Sequence, residues 1–258
     1  MKTTGNTILI TGGGSGIGRG LAEAFHQLGN QVIVSGRTQK TLDAVVAANP
    51  GVRALTVDMA DAGSVREFAQ KLTGEFPALN VLINNAGVAR PENLREQPAD
   101  LADVEATVAT NVLGPIRLTA ALLPHFLQQS HAAVMNVSSG LAMVPLAAMP
   151  TYSATKAAVH SYTESLRCQL QGSPVEVLEL IPPYVQTTLG GEQQANDPRA
   201  MPLDAFIKEV MDILQNQPDA TEINVKNVHP LRYAAEGGQE KYAQVFQQVN
   251  QMFSAQGH

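Results

Sequence analysis

Residues 7–18 restrict the fold of this chain more than any other stretch. Thr7-Ile8-Leu9-Ile10 is a short apolar run, the length of a buried strand. Leu21, Ala22, Ala24, Phe25 and Leu28 then recur at helical spacing, and the pattern stops at Gly29. Between strand and helix lies Thr11-Gly12-Gly13-Gly14-Ser15-Gly16-Ile17-Gly18. The alternate glycines Gly12, Gly14, Gly16 and Gly18, with Ser15 and Ile17, let backbone approach a ligand closely. The helix that follows offers unpaired N–H groups and a positive dipole end to an anion. The spacing is G-x-x-x-G-x-G, and G-x-G-x-x-G cannot be read here. A merely flexible turn would use the same residues, but their place between strand and helix favours binding of a dinucleotide pyrophosphate.

The strand–helix alternation continues. Gln31 to Ser35 is a second strand, followed by Gly36-Arg37. An acidic residue there would accept hydrogen bonds from the adenosine ribose of NAD. Without that carboxylate a 2′-phosphate is not repelled, and Arg37 can pair with it, which favours NADP(H) over NAD(H). An ordinary solvated arginine is the alternative. Val52 to Val57 is a third strand; Asp58 and Met59 at its end are candidate adenine contacts, with Asp58 equally suited to capping the next turn or helix. Asn80 to Ile83 is a fourth strand, closed by Asn84-Asn85-Ala86-Gly87, whose amides can bridge neighbouring strands or touch the cofactor ribose. Val104, Val108, Val112, Ile116, Ala120, Leu123 and Leu127 mark a long helix containing Asn111, one turn before Pro115. Ala132 to Val137 and Val175 to Ile181 complete six strands, and Thr221 to Val225 reads as a further edge strand. The expected fold is α/β: one doubly wound parallel-sheet domain spanning 1–258 with no linker.

Tyr152 and Lys156 lie four residues apart where a helical pattern begins, which places them on one face, one turn apart. A nearby ammonium favours the phenolate. Bringing a phenol from a pKa of about 10 to about 7 takes roughly 4 kcal/mol of preferential phenolate stabilisation. A phenol tuned in this way exchanges protons with an alcohol or carbonyl near neutral pH.

Four motifs in order make the chain resemble the short-chain dehydrogenase/reductase family over its first 190 residues or so: Thr11-Gly12-x-x-x-Gly16-x-Gly18, Asn84-Asn85-Ala86-Gly87, Ser139 thirteen residues before the tyrosine, and Tyr152-x-x-x-Lys156. The resemblance implies a Rossmann-like fold with a nicotinamide cofactor. It casts Tyr152 as general acid/base, Lys156 as the residue that lowers its pKa and binds the nicotinamide ribose, and Ser139 as the group polarising the carbonyl. Asn111 then holds a water linking Lys156 to solvent, and Gly12 to Gly18 with Asn85, Ala86 and Gly87 cradle the cofactor. Where most relatives carry Pro-Gly-x-Val-x-Thr, this chain has Pro182-Pro183-Tyr184-Val185-Gln186-Thr187. Val185 and Thr187 keep their expected contact with the carboxamide, whereas Pro183 removes an N–H and alters the local path. That element, the Met201-Pro202-Leu203-Asp204 segment and the Gln-rich tail resemble the DltE-like subgroup.

The residues and the resemblance together suggest hydride transfer between nicotinamide and a carbonyl or alcohol. A nicotinamide-binding sensor or scaffold with little turnover is the alternative. A serine hydrolase is disfavoured because no G-x-S-x-G elbow occurs. A net charge of −6 without a basic run argues against nucleic acid. No metal cluster is expected, and the six histidines at 26, 125, 131, 160, 229 and 258 are scattered. No uninterrupted apolar segment reaches membrane-spanning length, and the lone Cys168, expected to be buried and inert, fits a reducing, cytoplasmic setting. Residues 184–206 form a candidate substrate lid and 219–258 a divergent tail. The loop 141–150 and the lid, rich in Leu, Met, Pro and Ala, suggest an apolar carbonyl substrate. A homodimer or homotetramer through the helices carrying Asn111 and Tyr152 is the expected assembly.

Overall fold

The computed structural model describes residues 1–96 and 100–254. Strands β1 (Thr7–Thr11), β2 (Gln31–Gly36), β3 (Arg53–Thr56), β4 (Leu79–Asn84), β5 (Ala132–Val137), β6 (Val175–Leu180) and β7 (Glu222–Ile223) form one sheet in the order β3-β2-β1-β4-β5-β6-β7. All six pairings are parallel. The order reverses between β1 and β4, so a crevice opens there at the carboxyl ends of the strands, the usual ligand position in such sheets. The six strands and the edge strand expected from the sequence are all present, with the edge strand shortened to two residues.

Among the described residues, ten α-helices flank the sheet or its carboxyl end: α1 (Gly16–Gln27), α2 (Gln39–Ala48), α3 (Ala62–Glu75), α4 (Ala102–Val108), α5 (Gly114–Phe126), α6 (Pro150–Gln169), α7 (Glu192–Ala195), α8 (Leu203–Asn216), α9 (His229–Arg232) and α10 (Gly238–Ser254). On one face α1, α2 and α8 bury Leu21, Phe25, Leu42 and Phe206 against Ile8, Val32 and Leu180. On the other, α3, α5 and α6 bury Phe68, Leu118, Phe126 and Leu166 against Leu9, Leu82 and Val134. Alternate residues of each strand thus face opposite layers, and the strands read as continuous apolar runs because both faces are covered. Each fully buried phenylalanine contributes roughly 2–3 kcal/mol.

The stripe Val104, Val108, Val112, Ile116, Ala120, Leu123, Leu127 does mark a helical run, but most of it lies away from the core, with Leu123 partly buried against it. Val108 is 37% exposed and Leu127 44%, while Thr107, Asn111, Pro115, Leu118, Leu122 and Phe126 are buried. A π-helical turn at Ala109–Leu113 links α4 to α5, inserting a residue into the helical register. Small and polar residues then occupy the inward face where α4 and the π turn meet α6. The run 102–126 is also long and apolar enough, by length and composition alone, to cross a membrane. Its buried side packs on α3 and the sheet, as a core helix does. One expectation is corrected here: Cys168 is exposed, not buried. It lies two positions beyond buried Leu166, about 200° around α6, on the opposite face.

Candidate active site

The glycine turn packs against the end of β4. A Cβ on Gly12 would lie 2.9 Å from the Ala86 Cα, and one on Gly18 would lie 2.4 Å from the Asn85 Nδ2 and the Gly12 oxygen. Gly12 and Gly16 also adopt positive φ, at 67° and 51°. The turn therefore admits no side chain at Gly12 or Gly18 without displacement of backbone. Ser15 precedes α1 as an extended cap whose hydroxyl makes no capping bond, leaving the first amides of the helix for an external acceptor. A Cβ on Gly14 would meet Thr41, and Ile17 lines the cavity described below. This cradle, with free helix amides beside the crevice, fits a pyrophosphate.

The amides of the Asn84–Gly87 segment are mostly structural. Asn85 donates to the carbonyls of Thr11 and Gly12, at 2.9 and 3.3 Å, and its backbone N–H donates to Thr11 Oγ1. Asn84 donates to Thr119 Oγ1 and Asn136 Oδ1. Ala86 N–H donates to Thr11 Oγ1, and Gly87 lies beside Asn111 and Lys156. Arg37 is exposed beyond β2 and makes no hydrogen bond or ion pair among the described residues. Asp58 caps the turn by accepting from Ala60 N–H, while Asp61 caps α3. The Met59 side chain is buried beneath α5, where a Cβ on Gly114 would lie 2.7 Å from its carbonyl, so only its backbone is left to face a cofactor.

The remaining motif residues meet at the carboxyl ends of β5 and β6. Asn111 sits in the π turn; its Oδ1 accepts from Val88 N–H, and its Nδ2 donates to the Val88 carbonyl and Thr155 Oγ1. It ties the segment after β4 to α6 rather than repairing a kink at Pro115. Ser139 caps a single 3-10 turn and accepts from Leu141 N–H. It also hydrogen-bonds to Tyr152. Lys156 donates to the Val137 carbonyl at 2.8 Å, and its Nζ lies 5.7 Å from the centre of the Tyr152 ring.

The ammonium therefore stands over the ring face. The expected lowering of the phenol is not met in the protein alone: burial pushes Tyr152 up to about 12, with the Ser139 hydrogen bond opposing it. Burial also lowers Lys156 to about 8, with Glu179 opposing. Near neutral pH the site holds a protonated phenol and a largely charged ammonium.

Above these groups lies a cavity of about 390 Å³, with Ser139 and Tyr152 in its lining. Its walls include Leu141, Met149, Tyr184 and Leu189 from the two segments expected from the sequence. Val249, Met252 and Phe253 of α10 form another wall, which no motif in the sequence signals. Pro183 leaves the path after β6 tied on both sides: Gly140 N–H donates to the Pro182 carbonyl, Gln186 N–H to Met201, and Met201 N–H to Tyr184. Val185 and Thr187 are buried, and Gln194 donates to the Val185 carbonyl and Thr187 Oγ1. Thr187 would touch a Cβ on Gly16, so this segment closes over the glycine turn. Also missed were Glu179 and His160 beneath Lys156. The available signal was a glutamate inside an otherwise apolar strand and a histidine four residues after the lysine.

No cluster of potential metal ligands occurs among the described residues. Residues 6–198 match the family model for short chain dehydrogenases. The chain is 36% identical over 253 residues to the uncharacterized oxidoreductase DltE of Bacillus subtilis (strain 168), covering 97% of this chain and 98% of that one. It is similar in structure to a short-chain dehydrogenase from Sphingobium yanoikuyae in complex with NADPH, at 27% identity and a TM-score of 0.78, covering 93% and 94% of the two chains. A short chain dehydrogenase/reductase from Burkholderia phymatum in complex with NAD shares the fold, at 24% identity and a TM-score of 0.76 over 92% and 95%. With the ordered motifs gathered at one end of a doubly wound sheet, and the family match spanning most of the chain, this protein belongs to the short-chain dehydrogenase/reductase family and is an oxidoreductase of the nicotinamide-dependent kind.

Proposed function

We propose that this protein reduces a carbonyl compound with NADPH, Tyr152 acting as the general acid. The observation that carries the proposal is the meeting of Ser139, Tyr152 and Lys156 at one cavity beside the glycine turn. Gly12 to Gly18 and the first amides of α1 hold the pyrophosphate, and Lys156 meets the nicotinamide ribose. Val185 and Thr187 contact the carboxamide. Arg37, free of partners among the described residues, pairs with the 2′-phosphate. Bound NADPH supplies the hydride. Ser139 donates a hydrogen bond to the carbonyl oxygen, and Tyr152 delivers its proton as negative charge grows there.

A phenol held neutral by burial is already in the form that reduction requires. Alcohol oxidation needs the phenolate and is favoured only as pH rises. The substrate is apolar, because Leu141, Leu146, Met149, Val249 and Phe253 dominate the walls above Tyr152. Residues 184–206 act as a lid, joined by α10. The exposed residues Val108, Leu113 and Leu127 provide the apolar face for a homodimer or homotetramer.

The raised phenol also favours a second reading, a nicotinamide-binding sensor with little turnover. NADPH oxidation over a panel of aldehydes and ketones separates the two. We expect turnover by the wild type and a loss of about 10²–10⁴-fold in Tyr152→Phe, with NADPH affinity kept. If both forms bind NADPH equally and neither turns over any member of the panel, the sensor reading replaces ours.

A further inference from the structure

A row of polar side chains crosses the sheet beneath α6. Asn84, Asn136, Glu179 and Glu222 are direct neighbours in the register of β4, β5, β6 and β7. Most of the row is neutral and linked by hydrogen bonds: Asn84 Nδ2 donates to Thr119 Oγ1 and Asn136 Oδ1, and Asn136 Nδ2 donates to Thr163 Oγ1. Glu222 at the edge is paired with Arg232 at 2.7 and 2.9 Å. Glu179 differs. It has no exposed surface, yet its carboxylate has no arginine or lysine within salt-bridge distance among the described residues. Its bonded side-chain partner is His160, whose Nδ1 lies 2.8 and 3.1 Å from the two oxygens. Carboxylate oxygens only accept, so Nδ1 carries a hydrogen.

A buried carboxylate is costly unless its charge is compensated. Lys156 lies one turn before His160 on the same face of α6, with Tyr152 one turn earlier. Lys156 is itself buried, and its one hydrogen bond among the described residues is to a neutral carbonyl, that of Val137. Through His160, the Glu179 carboxylate is held about one helical turn along α6 from Lys156, and both groups of opposite sign are buried.

We propose that Glu179 and His160 are positioning residues for Lys156: the Glu179 carboxylate keeps the buried lysine in its ammonium form, and His160 holds that carboxylate in place. The direction of the Glu179 influence on Lys156 agrees with this, because it opposes the lowering by burial. The other charged and titratable groups around the pair are accounted for. Glu222 is held by Arg232, Glu164 lies 3.8 Å from His160 Nε2 on the outer side of the helix, and Tyr152 is neutral near pH 7. The inference rests on the reductase reading only for its consequence in catalysis; the charge on Lys156 is measurable without cofactor or substrate.

The test is NMR of protein labelled with [13C]lysine. The chain has seven lysines, and the Lys156 signal is assigned as the one missing from Lys156→Arg. We expect the wild-type Lys156 signal to titrate near 8. In Glu179→Gln, nearly isosteric and still able to bond to His160, the midpoint should fall by about one pH unit or more, the effect of removing a close opposite charge. At pH 8 that is about a tenfold lower ratio of ammonium to amine. His160→Asn places an amide donor where Nδ1 stands and should retain the wild-type midpoint, while His160→Leu should lower it. A purely structural tie between α6 and the sheet would lower thermal stability in these variants and leave the Lys156 midpoint unmoved. An unmoved midpoint in folded Glu179→Gln overturns the proposal. NADPH oxidation by the wild type over a panel of aldehydes and ketones tests the reductase reading separately.

Discussion

The floor and the roof of the cavity are built by different means. Ser139, Tyr152 and Lys156 sit on the floor, at the end of β5 and in the first two turns of α6. All three are more than nine-tenths buried, and regular backbone holds them. The roof consists of residues 184–206 and α10, joined by long polar side chains reaching distant backbone. Gln194 spans to Val185, Arg199 to the Met252 carbonyl, and Asn250 to the Pro145 carbonyl and Ala147 N–H. Tyr184 and Phe253 meet edge to face at 5.1 Å. The floor thus inherits its geometry from the sheet, whereas the roof depends on a few side-chain bonds. Damage to the floor should appear in the chemical step, and damage to the roof in substrate affinity.

The largest effect that tests this division, beyond the tyrosine itself, is at Ser139. Its hydroxyl lies beside the Tyr152 phenol and lines the cavity. A Ser139→Ala variant loses the donor to the developing oxyanion, and kcat should fall about 10²–10³-fold with KM little changed. It also loses the one interaction that lowers the phenol, so alcohol oxidation should shift further toward alkaline pH than in the wild type. A rise in KM with unchanged kcat would place Ser139 with the roof and break the comparison.

The same division explains what the sequence disclosed. Strands buried on both faces read plainly as apolar runs, and the spacing of Tyr152 and Lys156 carried over directly to one face of α6. Partners fixed by local periodicity can be read from spacing. The roof cannot, because Asn250 and Pro145 are 105 residues apart and Arg199 and Met252 are 53. No spacing rule joins a glutamine-rich tail to a loop before α6. The stripe of residues 104–127 disclosed the helix but not which side faces inward. Its apolar residues obey helical spacing, but the π turn and the polar contacts of Asn111 with Val88 and Thr155 set the inward face. The neutral Tyr152 was hidden too: spacing puts an ammonium one turn away but does not show that burial outweighs it.

Two arginines in contrasting surroundings sharpen the comparison further. Arg37 has no partner among the described residues and stands just beyond the carboxyl end of β2. Replacing it with alanine removes a free cation, and NADPH affinity should fall about tenfold, the effect of one exposed charge-assisted contact. NADH affinity should stay within about twofold, since NADH lacks the 2′-phosphate. Equal losses in fluorescence titrations would show that Arg37 does not distinguish the two cofactors.

Arg199 has the opposite circumstances and a smaller expected effect. Its guanidinium grips both oxygens of Asp197, donates to the Met252 carbonyl at 2.8 Å and stacks 5.5 Å from the Phe253 ring centre. Its charge is already spent, so although it lines the cavity it does not recruit an anionic substrate. In Arg199→Ala the Asp197 carboxylate keeps the Tyr184 hydroxyl and the backbone N–H of residue 199, so the lid still folds. The bond to α10 is lost. The end of that helix should exchange amide hydrogens faster, and KM for the carbonyl substrate should rise about threefold to tenfold with kcat within twofold, the loss expected for one charge-assisted hydrogen bond. Asp197 is held well below the usual carboxylate range chiefly by its hydrogen bonds to Arg199. Its stabilising effect is present above the ordinary carboxylate pKa and is lost as pH falls toward the lowered value. Acidification should therefore loosen the wild-type roof below about pH 4, and the arginine variant should have less roof order to lose over the same range. Exchange at the end of α10 that is unchanged in the variant would show that the Arg199 bond does not help to hold the roof, and would break the comparison at this point.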